Sequence, residues 1–375
     1  MKNFLYDTLL DAENICNLKR ETKLLMQGVK QQKKLVVYGV RNCGKTSLVK
    51  NVIVPHFQKM HKTSFVLFCD LMDVKSLDDV QNRIKHSFEK SFANSFPAQQ
   101  FLKAAKDFLW QHKPQIEFDP ATGQPTISLG EVRATRVPSL VDLFETITNK
   151  IAKKIPTLIV LDEFQDIAFV PQAQGLFRQV VQELKDVPVI FLGSKKHILS
   201  DLFAKPRAPL AQVGEDVAFM PIAYEEYHAY MQERFESQKI DLDFACSKFL
   251  QDLLHRVPEP INIVCAHIFE NLSNTSITPS MISVALDQVV EKRSSRYQEY
   301  LSHFSEKEEH VLAALAKEGV VLQPSGKEFL HCVDITARTA SQSVKKFLNK
   351  SIVEKTPQGY RLSDPLLAHY LKRNK

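Results

Sequence analysis

The stretch GVRNCGKT, Gly39 to Thr46, gathers the residue types that phosphate chemistry needs. It fits G-x-x-x-x-G-K-[ST] at Gly39, Gly44, Lys45 and Thr46. The two glycines let the backbone approach a ligand, so that amide N–H groups and the positive end of the following helix meet anionic oxygens. Lys45 is suited to the β- and γ-phosphates of a nucleoside triphosphate, and the Thr46 hydroxyl to Mg²⁺. The expected cradle is therefore Gly39, Val40, Arg41, Asn42, Cys43, Gly44, Lys45, Thr46 and Ser47. Cys43 reads either as a tolerated small residue or as a thiol acidified by its neighbour Lys45.

A second motif supplies carboxylates. TLIVLDEF is an apolar strand ending in Asp162-Glu163. Asp162 would hold Mg²⁺ and Glu163 would act as a base on the attacking water. VIFLGS ends a further apolar strand at Ser194, whose hydroxyl either orients the water, senses the γ-phosphate, or merely caps the next helix.

These residues need a parallel sheet to carry them. Apolar runs recur at Leu35–Gly39, Ser64–Leu71, Thr157–Glu163, Val187–Ser194 and Asp216–Ile222, separated by helical stretches. Such runs predict strands buried on both faces in a doubly wound α/β domain. An insertion at about 91–139 carries a helical segment with Trp110 and then a β-hairpin, signalled by Asp119-Pro120 and Thr122-Gly123. After Ile222 the pattern becomes helical, broken at RVPEPIN and NTSITPS. Ser305 and Glu308 form a capping box before a helix ending at Gly319. Helices near Lys327–Val333 and Thr336–Asn349 follow, then two short strands around Gln358-Gly359, which together make the plan of a winged helix. The expected division is a core over 1–222, a helical lid over 223–300 and a winged helix over 301–375.

Composition sets the wider bounds. The chain of 375 residues is 44% hydrophobic and 25% charged, as soluble globular proteins are. Its net charge of +6 fits an acidic partner without demanding one. The six cysteines show no CxxC pair, and most read as small buried apolar residues in a reducing compartment. The histidines form no ligand pattern, so no transition metal is expected. MKNFLYDTLLDAEN lacks the apolar core of a signal peptide, and no run spans a bilayer, so a cytoplasmic location without membrane contact is expected. Core packing is the expected role of the aromatic FEKSFANSF run.

The order NLKRE, GVRNCGKTSL, IVLDEFQ, IFLGS, AKPRAPLAQ and GYRLSDPLLAHYL resembles the archaeal-type ATPase family, a branch of the AAA+/STAND P-loop ATPases. The resemblance covers nearly the whole chain, and its Walker A and Walker B motifs are the most specific part. It implies a three-layer P-loop sheet of ASCE type, in which the Walker A and Walker B strands flank the sensor strand, followed by a helical lid and a winged helix. ATP with Mg²⁺ is the implied ligand, ADP the product, and Asn17–Glu21 would lie near the adenine, with Ile15 and Leu18 as apolar contacts. Two departures stand out. Family members often carry an arginine after PLYG, where this chain reads PLAQVG. Arg207, or Lys205, would then meet the γ-phosphate in cis or from a second subunit, unless both are plain surface residues. The lid reads RVPEPIN, keeping Pro260 without the usual glycine, which leaves Arg256 as a weak candidate for a second sensor.

The winged helix admits two kinds of partner. Arg338, Gln342, Lys345 and Lys346 on the recognition helix, with Lys355 and Arg361 on the wing, form a basic set suited to double-stranded DNA. Winged helices also dock proteins, so self-association or a protein partner stays open. Turnover with little intrinsic rate is the companion alternative, in which ATP drives assembly.

Overall fold

The computed structural model describes residues 3–374 except 113, 120–123, 130–138 and 272–275. The hairpin turn expected across 120–123 lies outside these residues, as do the side chain of Trp110 and part of the NTSITPS break. The described chain divides into two compact units. One comprises Leu10–Gly39 and Gly44–Met220; the other comprises Met1–Leu9, Val40–Cys43 and Pro221–Lys375.

The first unit is built on strands β1 (Lys34–Tyr38), β2 (Phe65–Asp70), β3 (Gln115–Phe118), β4 (Pro125–Ser128), β5 (Thr157–Asp162), β6 (Val189–Gly193) and β7 (Glu215–Ala218). Five of them make a parallel sheet in the order β2-β5-β6-β1-β7. β6 thus sits between β5 and β1, the strand order that the family resemblance implies. β3 and β4 pair antiparallel, Ile116 opposite Ile127, as the expected hairpin.

Alternation along each strand sends side chains to opposite faces, and here both faces are covered. Val36, Phe65, Leu67, Cys69, Ile159, Leu161, Val189 and Phe191 pack into one core with the helices Leu77–Ser95, Leu140–Thr146, Pro171–Glu183 and Lys196–Phe203. On the other face the helix Lys19–Lys30 passes so close that a side chain at Gly28 would meet Leu35 at 2.7 Å. The result is three layers.

Two boundaries differ from expectation for identifiable reasons. The helix Leu77–Ser95, started by a Ser76–Asp79 capping box, runs past Ser91 into the expected insertion. Phe88 and Phe92 are one turn apart and both fully buried, with their rings 6.1 Å apart, so this part of the helix belongs to the core. The FEKSFANSF aromatics are thus packing residues. β7 ends at Ala218 rather than Ile222. Phe219 still donates to the Tyr38 carbonyl at 2.8 Å, but Pro221 has no N–H to extend the ladder.

The helix after the loop also has a sequence-encoded irregularity. Lys45–Leu48 leads into a π-turn at Val49–Ile53 before the α-helix Val54–Met60. Pro55 cannot donate to the carbonyl one turn back, and the wider turn before it relieves the clash.

The second unit is helical from Tyr224 onward, and its segment from 306 adds two short strands. There the helices Glu306–Glu318, Lys327–Val333 and Ala337–Asn349 precede an antiparallel pair, β8 (Val353–Thr356) and β9 (Gly359–Leu362), and a final helix Pro365–Asn374. Val321 forms an isolated antiparallel bridge with Tyr360. Three helices and a wing follow the expected plan. The Ser305–Glu308 capping box is present, and Gly319 closes that helix with φ 75°. Five of the six cysteines are buried and all are free, with Cys332 exposed. No helix among the described residues is long and apolar enough to cross a membrane.

Candidate functional site

The C-terminal ends of neighbouring strands bring the candidate residues to one edge of the sheet. Tyr38 is in register with Gly193, and Asp70 with Asp162. The loop that leaves β1 turns at Gly44, whose φ of 89° suits only glycine without strain. Leu18 packs there, 3.5 Å from where a Gly44 side chain would begin, and Ile15 is half-buried nearby in sequence. Lys45 is buried, and its Nζ donates to the Gly39 carbonyl at 3.1 Å. Ser47 is buried and accepts from the Leu10 amide at 3.2 Å.

The Thr46 hydroxyl donates to the Asp162 carboxylate at 2.8 Å, joining positions 116 residues apart. A hydroxyl and a carboxylate in contact make a hard-oxygen pair, the donor set Mg²⁺ takes from protein when phosphate and water complete its octahedron. Among the described residues no group of three or more His, Cys, Asp or Glu is arranged to hold a metal, so a denser cage is not what these residues offer. Burial pushes the Asp162 carboxyl up to about 6, a rise that the Thr46 hydrogen bond opposes and the Glu163 charge reinforces. A cation at this position would favour the ionised form.

Glu163 follows in the left-handed region at φ 47°, a conformation costing about 1–2 kcal/mol for a non-glycine residue. What holds it is the next residue. Phe164 is fully buried, with ring centroids 4.6 Å from Phe191, 5.1 Å from Phe177 and 5.7 Å from Phe203. Anchored there, the chain must present Glu163 outward, half-buried, at the sheet edge. Ser194 donates to Glu163 Oε2 at 3.3 Å, so the serine at the end of β6 does reach the carboxylate.

Four further residues belong to this cluster and were not singled out by sequence. Gln165, fully buried, donates to the same Glu163 oxygen and to Asp166 Oδ1 at 3.4 Å. Lys195 pairs with Asp166 at 3.1 Å, and the Asp73 amide donates to Asp166 at 2.8 Å. The run DEFQD, four polar residues around one phenylalanine, was the available signal.

The other candidates have surroundings of their own. Val40, Arg41, Asn42 and Cys43 group with the second unit, where Arg41 and Asn42 line a cavity of about 610 Å³ with Arg293, Arg296, Tyr300 and Asp364. Cys43 is buried. Arg207 is exposed in the turn after the helix Lys196–Phe203, and Lys205 pairs with Asp201 at 2.5 Å. Arg256 donates to the Ile222 carbonyl and stacks 4.1 Å over the Tyr224 ring, so its guanidinium is engaged within its own unit.

On the winged helix, Ala340, Val344 and Phe347 bury one face of Ala337–Asn349. Arg338, Gln342, Lys345 and Lys346 are exposed on the other, at helical spacing. Lys346 pairs with Glu308 at 2.6 Å. On the wing Arg361 pairs with Glu354 at 2.6 Å, while Lys355 is exposed beside the Tyr360 ring.

Comparison with known proteins supports this architecture. A family model described as a probable winged helix domain matches residues 295–373. No curated protein sequence matches the chain. Among solved structures, a Walker-type ATPase of Pyrococcus abyssi is similar with a TM-score of 0.65 at 15% identity, covering 98% of this chain and 99% of that one. The Aeropyrum pernix ORC2 protein, solved as ADPNP–ADP complexes, gives 0.57 at 13% identity over 99% and 96%. Aeropyrum pernix ORC1, solved in complex with DNA, gives 0.50 at 12% identity over 99% and 95%. At such identities the likeness concerns fold alone: a parallel sheet covered on both faces, followed by helices and a C-terminal winged helix.

Proposed function

We propose that this chain binds ATP with Mg²⁺ through its phosphate loop, hydrolyses it, and couples nucleotide state to the winged helix. The observation that carries the proposal is the Thr46–Asp162 hydrogen bond, which makes one site of the loop and the acidic strand end. Loop amides and Lys45 bind the phosphates, and Lys45 exchanges its bond to the Gly39 carbonyl for a phosphate oxygen. Thr46 and Asp162 hold Mg²⁺, which when bound neutralises phosphate charge. Glu163 orients the attacking water and accepts its proton, with Ser194 fixing the far carboxylate oxygen. Ile15 and Leu18 supply apolar contact to the base. Arg207, exposed, is available to a nucleotide held by a second copy, which favours self-association as the route to full turnover.

Double-stranded DNA is the proposed partner of the winged helix. Support comes from the exposed face carrying Arg338, Gln342 and Lys345, with Lys355 on the wing, and from the DNA complex of the similar ORC1 protein. Lys346 and Arg361 would exchange acidic partners for phosphate. The proposed organisation is a core over 1–222, a lid over 223–300 and the winged helix over 301–375. The test is ATP turnover by wild type, Lys45→Ala and Glu163→Gln, each with and without duplex DNA. Loss in both variants and stimulation of wild type by DNA are expected. Turnover indifferent to Lys45→Ala would refute the site, and indifference to DNA would leave a protein-docking winged helix.

A further inference from the structure

Gln165 is a polar side chain with no exposure at all, placed two residues after the carboxylate proposed as the base. Burying an amide is costly unless its atoms are paired. Its Nε2 spans two carboxylates, donating to Glu163 Oε2 and to Asp166 Oδ1 at 3.4 Å. Asp166 is itself fixed, by Lys195 at 3.1 Å and by the Asp73 amide at 2.8 Å. The amide therefore ties Glu163 to a braced point. Because Ser194 and Gln165 address the same oxygen, Oε2, the other oxygen of Glu163 is the one left to face a ligand.

The Oε1 of Gln165 has no hydrogen-bond partner. It occupies the space that Gly193, the last residue of β6, leaves by having no side chain, and a methyl group there would overlap it. The glycine of IFLGS is thus a receptacle for the amide.

We infer that Gln165 is a positioning residue that aims the Glu163 carboxylate, and that Gly193 is small so that Gln165 can do so. The inference rests on the hydrolytic reading above. Misaiming a base by a fraction of an ångström lowers turnover without touching the groups that bind nucleotide. Gln165→Met, of equal length and lacking the donor, should lower kcat roughly 10- to 100-fold, with KM and the ATP dissociation constant within about twofold of wild type. Gly193→Ala should do the same by displacing the amide. In the Gln165→Ala background the overlap with the amide is gone and the added methyl meets only the flexible tip of Leu199, at 2.7 Å, so with Leu199 turned aside the double variant should turn over no more slowly than Gln165→Ala alone.

The experiment is steady-state kinetics and equilibrium ATP binding on the full chain for these variants, with Glu163→Gln beside them. Turnover lost in Glu163→Gln but unchanged in Gln165→Met would overturn this inference and leave the hydrolytic reading standing. Additive losses in the Gln165→Ala/Gly193→Ala variant, or a parallel collapse of KM and thermal stability, would also overturn it. A wild type that binds ATP without turning it over would overturn both.

Discussion

The sheet edge and the winged helix both gather charged and polar side chains, and hold them differently. At the edge of the parallel sheet, Lys45, Asp162, Gln165 and Asp166 are buried, and each is tied to a named neighbour. On the helix Ala337–Asn349, Arg338, Gln342 and Lys345 stand in water. Buried, interlocked groups define one geometry and lose much when one is removed. Exposed cations keep their hydration and their freedom, which suits a polyanion met along a repeating backbone and makes binding a matter of salt. One region is built to specify, the other to attract.

The sharpest way to break this contrast is at the sheet edge. Glu163→Gln should lower turnover about 10²- to 10⁴-fold while ATP binding survives, and Lys45→Ala should lose both, read by phosphate release and nucleotide titration. The anchor beneath comes next. Phe164→Ala should cost about 3–5 kcal/mol in denaturant unfolding and release the left-handed turn at Glu163.

His255 shows where the basic terminal segment is felt inside its unit. Burial lowers its pKa to about 4, helped by the charges of Arg361 and Lys372, and its Nδ1 has no partner. The unfolded chain then takes up a proton first, near its ordinary value of 6.5. Stability conferred by neutral His255 is full above that value and is lost as pH falls toward about 4. The loss should be on the order of 2–3 kcal/mol and absent from His255→Gln, as unfolding at several pH values would reveal.

The smallest effects belong to the exposed face. Arg338→Ala and Lys345→Ala should each weaken duplex binding evenly across sequences and reduce the salt slope by about 1. Lys346→Ala, which also breaks the pair with Glu308, should cost about 0.2–1 kcal/mol of stability. Salt slopes unchanged by all three would remove DNA from the helix face.

The motifs were legible because their spacing is itself the chemistry: Gly39, Gly44, Lys45 and Thr46 lie within one loop, and Asp162 ends one apolar run. The capping box at Ser305 and Glu308 was legible for the same local reason. Gln165 was not, since its role depends on Gly193 from another strand and on Asp166 being braced by Lys195. The pairing of Lys346 with Glu308 spans 38 positions and escaped for that reason too. The end of β7 needed only Pro221, which stands in the sequence, but an apolar run hides where a ladder stops.

The most direct measurement is ATP affinity with and without Mg²⁺, for wild type and Asp162→Asn. If Thr46 and Asp162 hold the ion, Mg²⁺ should tighten ATP binding in wild type, less so below pH of about 6 where the buried carboxyl takes a proton, and should do little in Asp162→Asn. An equal Mg²⁺ dependence in both proteins would contradict the claim that the loop and the acidic strand end form one site.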